Sequence, residues 1–169
     1  MSNFRKCAAA AFIALAAIGS TFAQNSKLTT VILIRHAEKQ NDGTKDPSLT
    51  PEGKTRAEKI GAMLKETKVD AVYSTSYKRT RETAFPIASG KQLEVQTYEP
   101  MKKEVIDEIT RMNQGKTVVL VGHSNTVPWT INQLLGTEAY KDFADDQYND
   151  IVIITLGGDG AAKVVWLNY

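Results

Sequence analysis

Two short runs without a polar residue, Val31-Ile32-Leu33-Ile34 and Val118-Val119-Leu120-Val121, constrain this chain more than any other feature. A strand with one wet face alternates apolar and polar residues. A strand that does not alternate is buried on both faces, as in a parallel sheet covered by helices. Asp70-Ala71-Val72-Tyr73 and Leu93-Glu94-Val95-Gln96-Thr97-Tyr98 read as two further strands, the second alternating and therefore nearer an edge. Near the C-terminus, Ile151-Val152-Ile153-Ile154 and Lys163-Val164-Val165-Trp166-Leu167 flank Gly157-Gly158-Asp159-Gly160, a hairpin signal that adds antiparallel pairing.

Helical periodicity fills the intervals. Thr50-Pro51-Glu52 supplies a cap, a proline at the first helical position and an early acid, and Ala57, Ile60, Gly61 and Leu64 follow as one stripe. A second helix is expected over Tyr77–Ala88, ended or kinked by Pro86. A third is expected from about Met101 to Met112, with Met101, Val105, Ile109 and Met112 inward. A fourth starts near Thr126 and buries Val127, Ile131, Leu134 and Leu135. Alternating strands and helices predict an α/β fold: a three-layer α/β/α sandwich, mostly parallel, with an antiparallel C-terminal hairpin. The polar stretch Ala37–Leu49 has no periodicity, and a loop of that length in a compact domain suggests function.

The N-terminus reads as an address. Arg5 and Lys6 precede an apolar run, Cys7–Gly19, and small residues lead to Ala23. This is the pattern of a secretory signal peptide over 1–23, with residues 24–169 as one domain, secreted or periplasmic. The apolar run falls short of the ~20 residues a spanning helix needs, so no stable membrane insertion is expected after cleavage. Arg5 and Lys6 account for the whole formal charge of +2. The remainder is balanced and carries no electrostatic footprint for nucleic acid. The single cysteine, Cys7, lies in the leader, which excludes a disulfide scaffold, a thiolate nucleophile and a cysteine metal site from the domain.

Open α/β sheets bind ligands beyond the carboxyl ends of their strands, so the residues that follow each strand carry the information. Arg35 and His36 follow the first strand. Ser74, Thr75 and Ser76 follow the next and lead into a helix bearing Arg79. Glu99 follows the third, and Gly122, His123 and Ser124 the fourth. The only two histidines thus both sit just past a buried strand. Singly, each group has a structural reading: a satisfied Arg-His pair, a solvated helix face, a glycine turn. Together on one edge of one sheet they suit a phosphoryl group. Guanidinium forks match phosphate oxygens, neutral imidazole can carry a phosphoryl group covalently, and a carboxyl group can protonate the departing oxygen.

These residues resemble the histidine phosphatase (phosphoglycerate mutase-like) superfamily. Arg35-His36-Ala37-Glu38 is similar to its RHG signature, with Ala37 where the signature has glycine, an added methyl where backbone approaches the pocket. The resemblance continues through Leu49-Thr50-Pro51-Glu52-Gly53 with Arg56-Ala57, then Thr75-Ser76-Tyr77-Lys78-Arg79-Thr80-Arg81-Glu82-Thr83-Ala84, and ends at Gly122-His123-Ser124. The small size resembles the short, SixA-like branch. The resemblance implies that His36 is phosphorylated and that Arg35, Arg79 and His123 bind phosphate, with His123 charged once phosphate is bound. It also implies an acid/base carboxylate just past the strand after the Arg79 helix. Glu99 is the choice, with Glu104 and Asp107 in reserve. It implies a phosphatase acting on a small phosphorylated substrate, with no cofactor and no metal, because arginine and histidine supply the positive charge. The alternatives are a phosphomutase, a non-catalytic phosphate-binding member of the same fold, and a two-histidine metal site. The last is disfavoured by the adjacent arginines. Lys39, Asn41 and Lys45 in the long loop are candidates for holding substrate.

Overall fold

The structure, a computed structural model, describes residues 27–169, so the signal peptide expected over 1–23 lies outside the described residues. In chain order the elements are β1 (Thr29–Arg35), α1 (Pro51–Met63), β2 (Ala71–Ser74), α2 (Lys78–Gly90), β3 (Val95–Thr97), α3 (Lys103–Met112), β4 (Thr117–Gly122), α4 (Thr126–Leu135), β5 (Asp150–Leu156) and β6 (Ala162–Asn168). The strands form one six-stranded sheet in the order β3-β2-β4-β1-β5-β6. The β1–β4, β2–β4 and β2–β3 ladders are parallel, whereas β5 runs antiparallel to both β1 and β6. This is the three-layer, mostly parallel sandwich with an antiparallel C-terminal hairpin that the sequence predicts.

The two unalternating runs are the middle of the sheet, and they bury both faces. Val31 and Leu33 of β1 join Val118 and Leu120 of β4 in a cluster with Ile106 and Ile109 of α3 and Val127 and Ile131 of α4. Ile32 and Ile34 join Val119 and Val121 against Ile60 of α1 and Ala84 and Ile87 of α2. Each such side chain contributes roughly 1.5–3 kcal/mol by leaving water, which is why the strands tolerate no polar residue.

Local chemistry sets the helix ends near the site. Thr50 caps α1 by accepting the Gly53 N–H at 3.0 Å, with Pro51 in the first turn. Gly53 is there for contact. A Cβ on it would lie 2.2 Å from the Glu38 carbonyl oxygen, so only glycine lets the first turn of α1 press on the segment that follows His36.

One expectation is narrowed and another corrected. Of the two outcomes expected at Pro86, an end to the helix is excluded, because α2 continues to Gly90. Packing against α1 holds it, since Gly61 meets Pro86 so closely that a Cβ there would sit 3.0 Å from the proline ring. Met101 and Met112 are not inward; they are 51% and 59% exposed, and Ile106 and Ile109 carry the buried stripe of α3. Met101 lies before the helix in a left-handed conformation with φ 59°, which takes it out of phase with the stripe.

Candidate active site

The parallel strands end side by side. Arg35 pairs in register with Gly122, the His36 N–H donates to the Gly122 carbonyl at 2.9 Å, and the Tyr98 N–H donates to the Ser74 carbonyl at 3.0 Å. The residues that follow β1, β4, β2 and β3 therefore share one edge. His36 and His123 meet there edge-to-face with ring centroids 5.4 Å apart, and Arg79 brings Nη2 within 3.3 Å of His123 Nδ1. His36, His123 and Arg79 are thus brought together as expected.

The hydrogen bonds fix both imidazoles. His36 Nδ1 lies 2.8 Å from the Ala37 carbonyl, which can only accept, so Nδ1 carries the proton and Nε2 the lone pair. For His123, Nδ1 faces a guanidinium that can only donate, so Nδ1 is the acceptor. Its Nε2–H then donates to Thr75 Oγ1 at 2.9 Å, and the Thr75 hydroxyl passes on to Thr80 Oγ1 at 2.8 Å. The Thr80 hydroxyl ends the relay on the Tyr77 carbonyl, 2.8 Å away. Gly122 is also a contact residue: a Cβ there would fall 2.6 Å from Thr126 Oγ1, the atom that accepts the His123 N–H.

Thr83 ties the residue after His36 to the arginine helix. Its Oγ1 accepts the Ala37 N–H at 3.0 Å while its hydroxyl donates to the Arg79 carbonyl at 2.7 Å. The Ala37 methyl fits without strain. It is fully buried among Leu49 and Ala57, and its φ is not positive, so glycine's special conformation is not needed at this point.

Arg35 is present but held differently from the expectation of a free fork. Nη1 donates to the carbonyls of Ala144 at 2.6 Å and Gln147 at 2.8 Å, and Nη2 to Asp145 at 3.1 Å. Its guanidinium stacks 4.2 Å from the Tyr148 ring centroid. That commits three of its five N–H groups, and Arg35 Nε and Arg79 Nε are buried without a hydrogen-bond partner among the described residues. Buried cationic donors without a protein partner are the kind of group that an anion's oxygens satisfy.

Glu99 is not drawn into this cluster. Its carboxylate is 70% exposed and pairs with Lys102. Its segment borders the site, since the buried Tyr98 hydroxyl reaches Gly122 and Asn125 donates weakly to Met101 Sδ at 3.9 Å. Glu104 and Asp107 are exposed on α3, and Asp107 pairs with Lys103 at 2.6 Å. Sequence reasoning passed over Thr80, Thr83, Asp46 and the 144–148 segment. Buried threonines on the Arg79 face of a helix were an available signal; the 144–148 segment offers none.

Burial dominates the electrostatics. It pushes His36 down to about 3, helped by His123, Arg79 and Arg35 and opposed by the Ala37 hydrogen bond. Burial, with Arg79 and Arg35 behind it, pushes His123 down to about 4. Both rings are therefore neutral at pH 7. The unfolded chain takes up these protons near pH 6.5 and the folded one only far below it. Stability is full above that value and declines as pH falls, by up to about 1.4 kcal/mol per pH unit for His36. Thermal denaturation is expected to show a midpoint that drops between pH 7 and pH 5, and a smaller drop in His36→Ala. An equal drop in both would remove His36 from the acid sensitivity.

Known proteins resemble this chain in fold and over part of its sequence. The family profile of the histidine phosphatase superfamily (branch 1) matches residues 31–102, which span β1, the long loop, α1, β2, α2, β3 and the Glu99 turn. Phosphoserine phosphatase 1 of Hydrogenobacter thermophilus is 38% identical over 74 residues, 40% of this chain and 35% of that protein. The 2,3-bisphosphoglycerate-dependent phosphoglycerate mutase of Bartonella henselae is 36% identical over 87 residues, 47% of this chain and 41% of that protein. The matches thus span well under half the length of these curated relatives. The structure of the protein histidine phosphatase SixA complexed with tungstate superposes with a TM-score of 0.68 at 16% identity, covering 82% of this chain and 96% of SixA. The family resemblance read from the motifs is borne out in sequence over residues 31–102, and the fold agrees with it.

Proposed function

We propose that this chain, matched to the histidine phosphatase superfamily over residues 31–102, hydrolyses a phosphomonoester or phosphoramidate through a phosphohistidine on His36. The observation that carries this reading is the lone pair of His36 Nε2, set free by the Nδ1–H bond to Ala37, beside Arg79 and His123 and two unpartnered arginine Nε–H groups. His36 Nε2 attacks phosphorus in line as the bond to the leaving oxygen or nitrogen breaks. Arg79, the Arg35 Nε–H and His123 hold the non-bridging oxygens, so that catalysis is positioning and charge stabilisation. A bound phosphate dianion favours protonation of His123, which turns Nδ1 into a donor and replaces the long contact to Arg79. Glu99, at the rim, protonates the leaving group and then takes a proton from the water that attacks phospho-His36; Glu104 and Asp107 are the reserves. The guanidiniums supply the positive charge in place of a metal. The 1–23 leader exports the enzyme to the periplasm or beyond, and the substrate is a small phosphorylated molecule.

The test is hydrolysis in the presence of chelator. The purified protein should release inorganic phosphate from p-nitrophenyl phosphate. Binding of inorganic phosphate without turnover of any ester would instead make it a phosphate-holding module, and transfer to a second hydroxyl in place of water would make it a mutase. The acid/base role is checked with Glu99→Gln. Loss of a general acid costs about 10²-fold on an alkyl phosphate, and less on the aryl ester, whose leaving group departs without a proton. Unchanged rates on both would return the role to Glu104 or Asp107.

A further inference from the structure

The long loop holds a carboxylate that no step above uses. Ala37–Leu49 goes out and back as a braced arm: the Gln40 N–H donates to the Ser48 carbonyl at 2.8 Å, and Lys39 bridges Leu49. At the tip, Asp42 accepts from the Thr44 N–H at 3.0 Å beside Gly43 at φ 74°. The return strand is fastened to α2 at two places. The Leu49 N–H donates to Glu82 Oε2 at 2.7 Å, and Asp46 Oδ1 accepts the Lys78 N–H at 2.8 Å. Tyr77, at the N-cap position, makes no side-chain bond to the helix, so Asp46 caps α2 from 32 residues away. The same Oδ1 lies 3.9 Å from Arg79 Nη1.

Arg79 therefore has three differently occupied edges. Nη2 faces His123, Nε is buried without a partner among the described residues, and Nη1 faces Asp46. The cap bond to Lys78 holds the carboxylate where it shares the charge of Arg79 without closing a hydrogen bond on it. We infer that Asp46 is a positioning residue that acts as a tethered competitor for Arg79, weakening the hold on phosphate so that the product leaves. The inference rests on the phosphatase reading of this site. An anion on Nε and Nη2 meets a second negative charge across the same guanidinium, and the arm's fastening to α2 keeps that charge in place when the anion binds.

Asp46→Asn separates the two roles of the residue, because its amide oxygen still accepts the Lys78 N–H while the charge is gone. Asp46→Ala removes both. The measurement is inhibition of p-nitrophenyl phosphate hydrolysis by inorganic phosphate at low salt. In Asp46→Asn, phosphate is expected to inhibit at about fivefold lower concentration, the upper range for an exposed ion pair, with a thermal midpoint near that of the wild type. The difference should shrink at high salt, as a charge effect must. Asp46→Ala should lower the midpoint through the lost cap. If phosphate inhibits the wild type and Asp46→Asn equally, or the variant less, Asp46 is only a cap and the inference fails alone. If phosphate does not inhibit the wild type at all, the phosphate role of Arg79 fails and takes the inference with it.

Discussion

His36→Ala is expected to lower kcat by at least about 10⁴-fold while leaving the protein folded and able to bind inorganic phosphate. The reason is positional. His36 is 4% exposed, its Nδ1 proton is committed to the Ala37 carbonyl, and the only free edge of the ring carries the lone pair. Arg79, His123 and the Arg35 Nε–H do not depend on that ring for their placement. Arg79 is placed by α2, His123 by Thr75 and Thr126, and Arg35 by the carbonyls of residues 144, 145 and 147. Removing a nucleophile from an intact pocket separates chemistry from binding. Steady-state rates and a phosphate-binding titration on the variant check both halves. A variant that keeps a tenth of the activity would mean that water is activated directly and that no covalent step occurs on this residue.

Arg79→Ala is expected to reduce kcat/KM by about 10²–10³-fold, the scale of losing one charge-stabilising donor. It removes the partner of His123 Nδ1 and one of the two open Nε–H groups at once. Arg79→Lys should recover little of this, because an ammonium cannot present Nε and Nη2 together. The loss falls on the transition state, where the equatorial oxygens carry the most charge, so kcat should fall as well as KM rise. Kinetics at several pH values, with circular dichroism to show that α2 is intact, check this. A rise in KM with kcat unchanged would reduce Arg79 to an anchor for substrate.

Much of this site was legible because it follows strands that are themselves legible. Val31–Ile34 and Val118–Val121 could not be other than buried parallel strands, and their register places Arg35 opposite Gly122. From there the two histidines had to lie near one another. What escaped was made of contacts between distant parts of the chain. The carbonyls that hold Arg35 come from residues more than 100 positions away, and the cap on α2 comes from the preceding loop. Neither leaves a local pattern. The same holds at Pro86: helix propensity counts the missing N–H and allows an end there, while packing against Gly61 accompanies the helix on to Gly90. Glu99 follows from order along the chain alone; its segment touches Gly122 and Asn125, while its carboxylate pairs with Lys102.

The most direct measurement is to quench the protein into alkali during turnover of a radiolabelled phosphomonoester and map the label. The account predicts a phosphoryl group on the peptide containing His36, stable in alkali and lost in acid, as a nitrogen–phosphorus bond requires, and absent from His36→Ala. Turnover with no protein-bound label, or label carried by His123 instead, would contradict it.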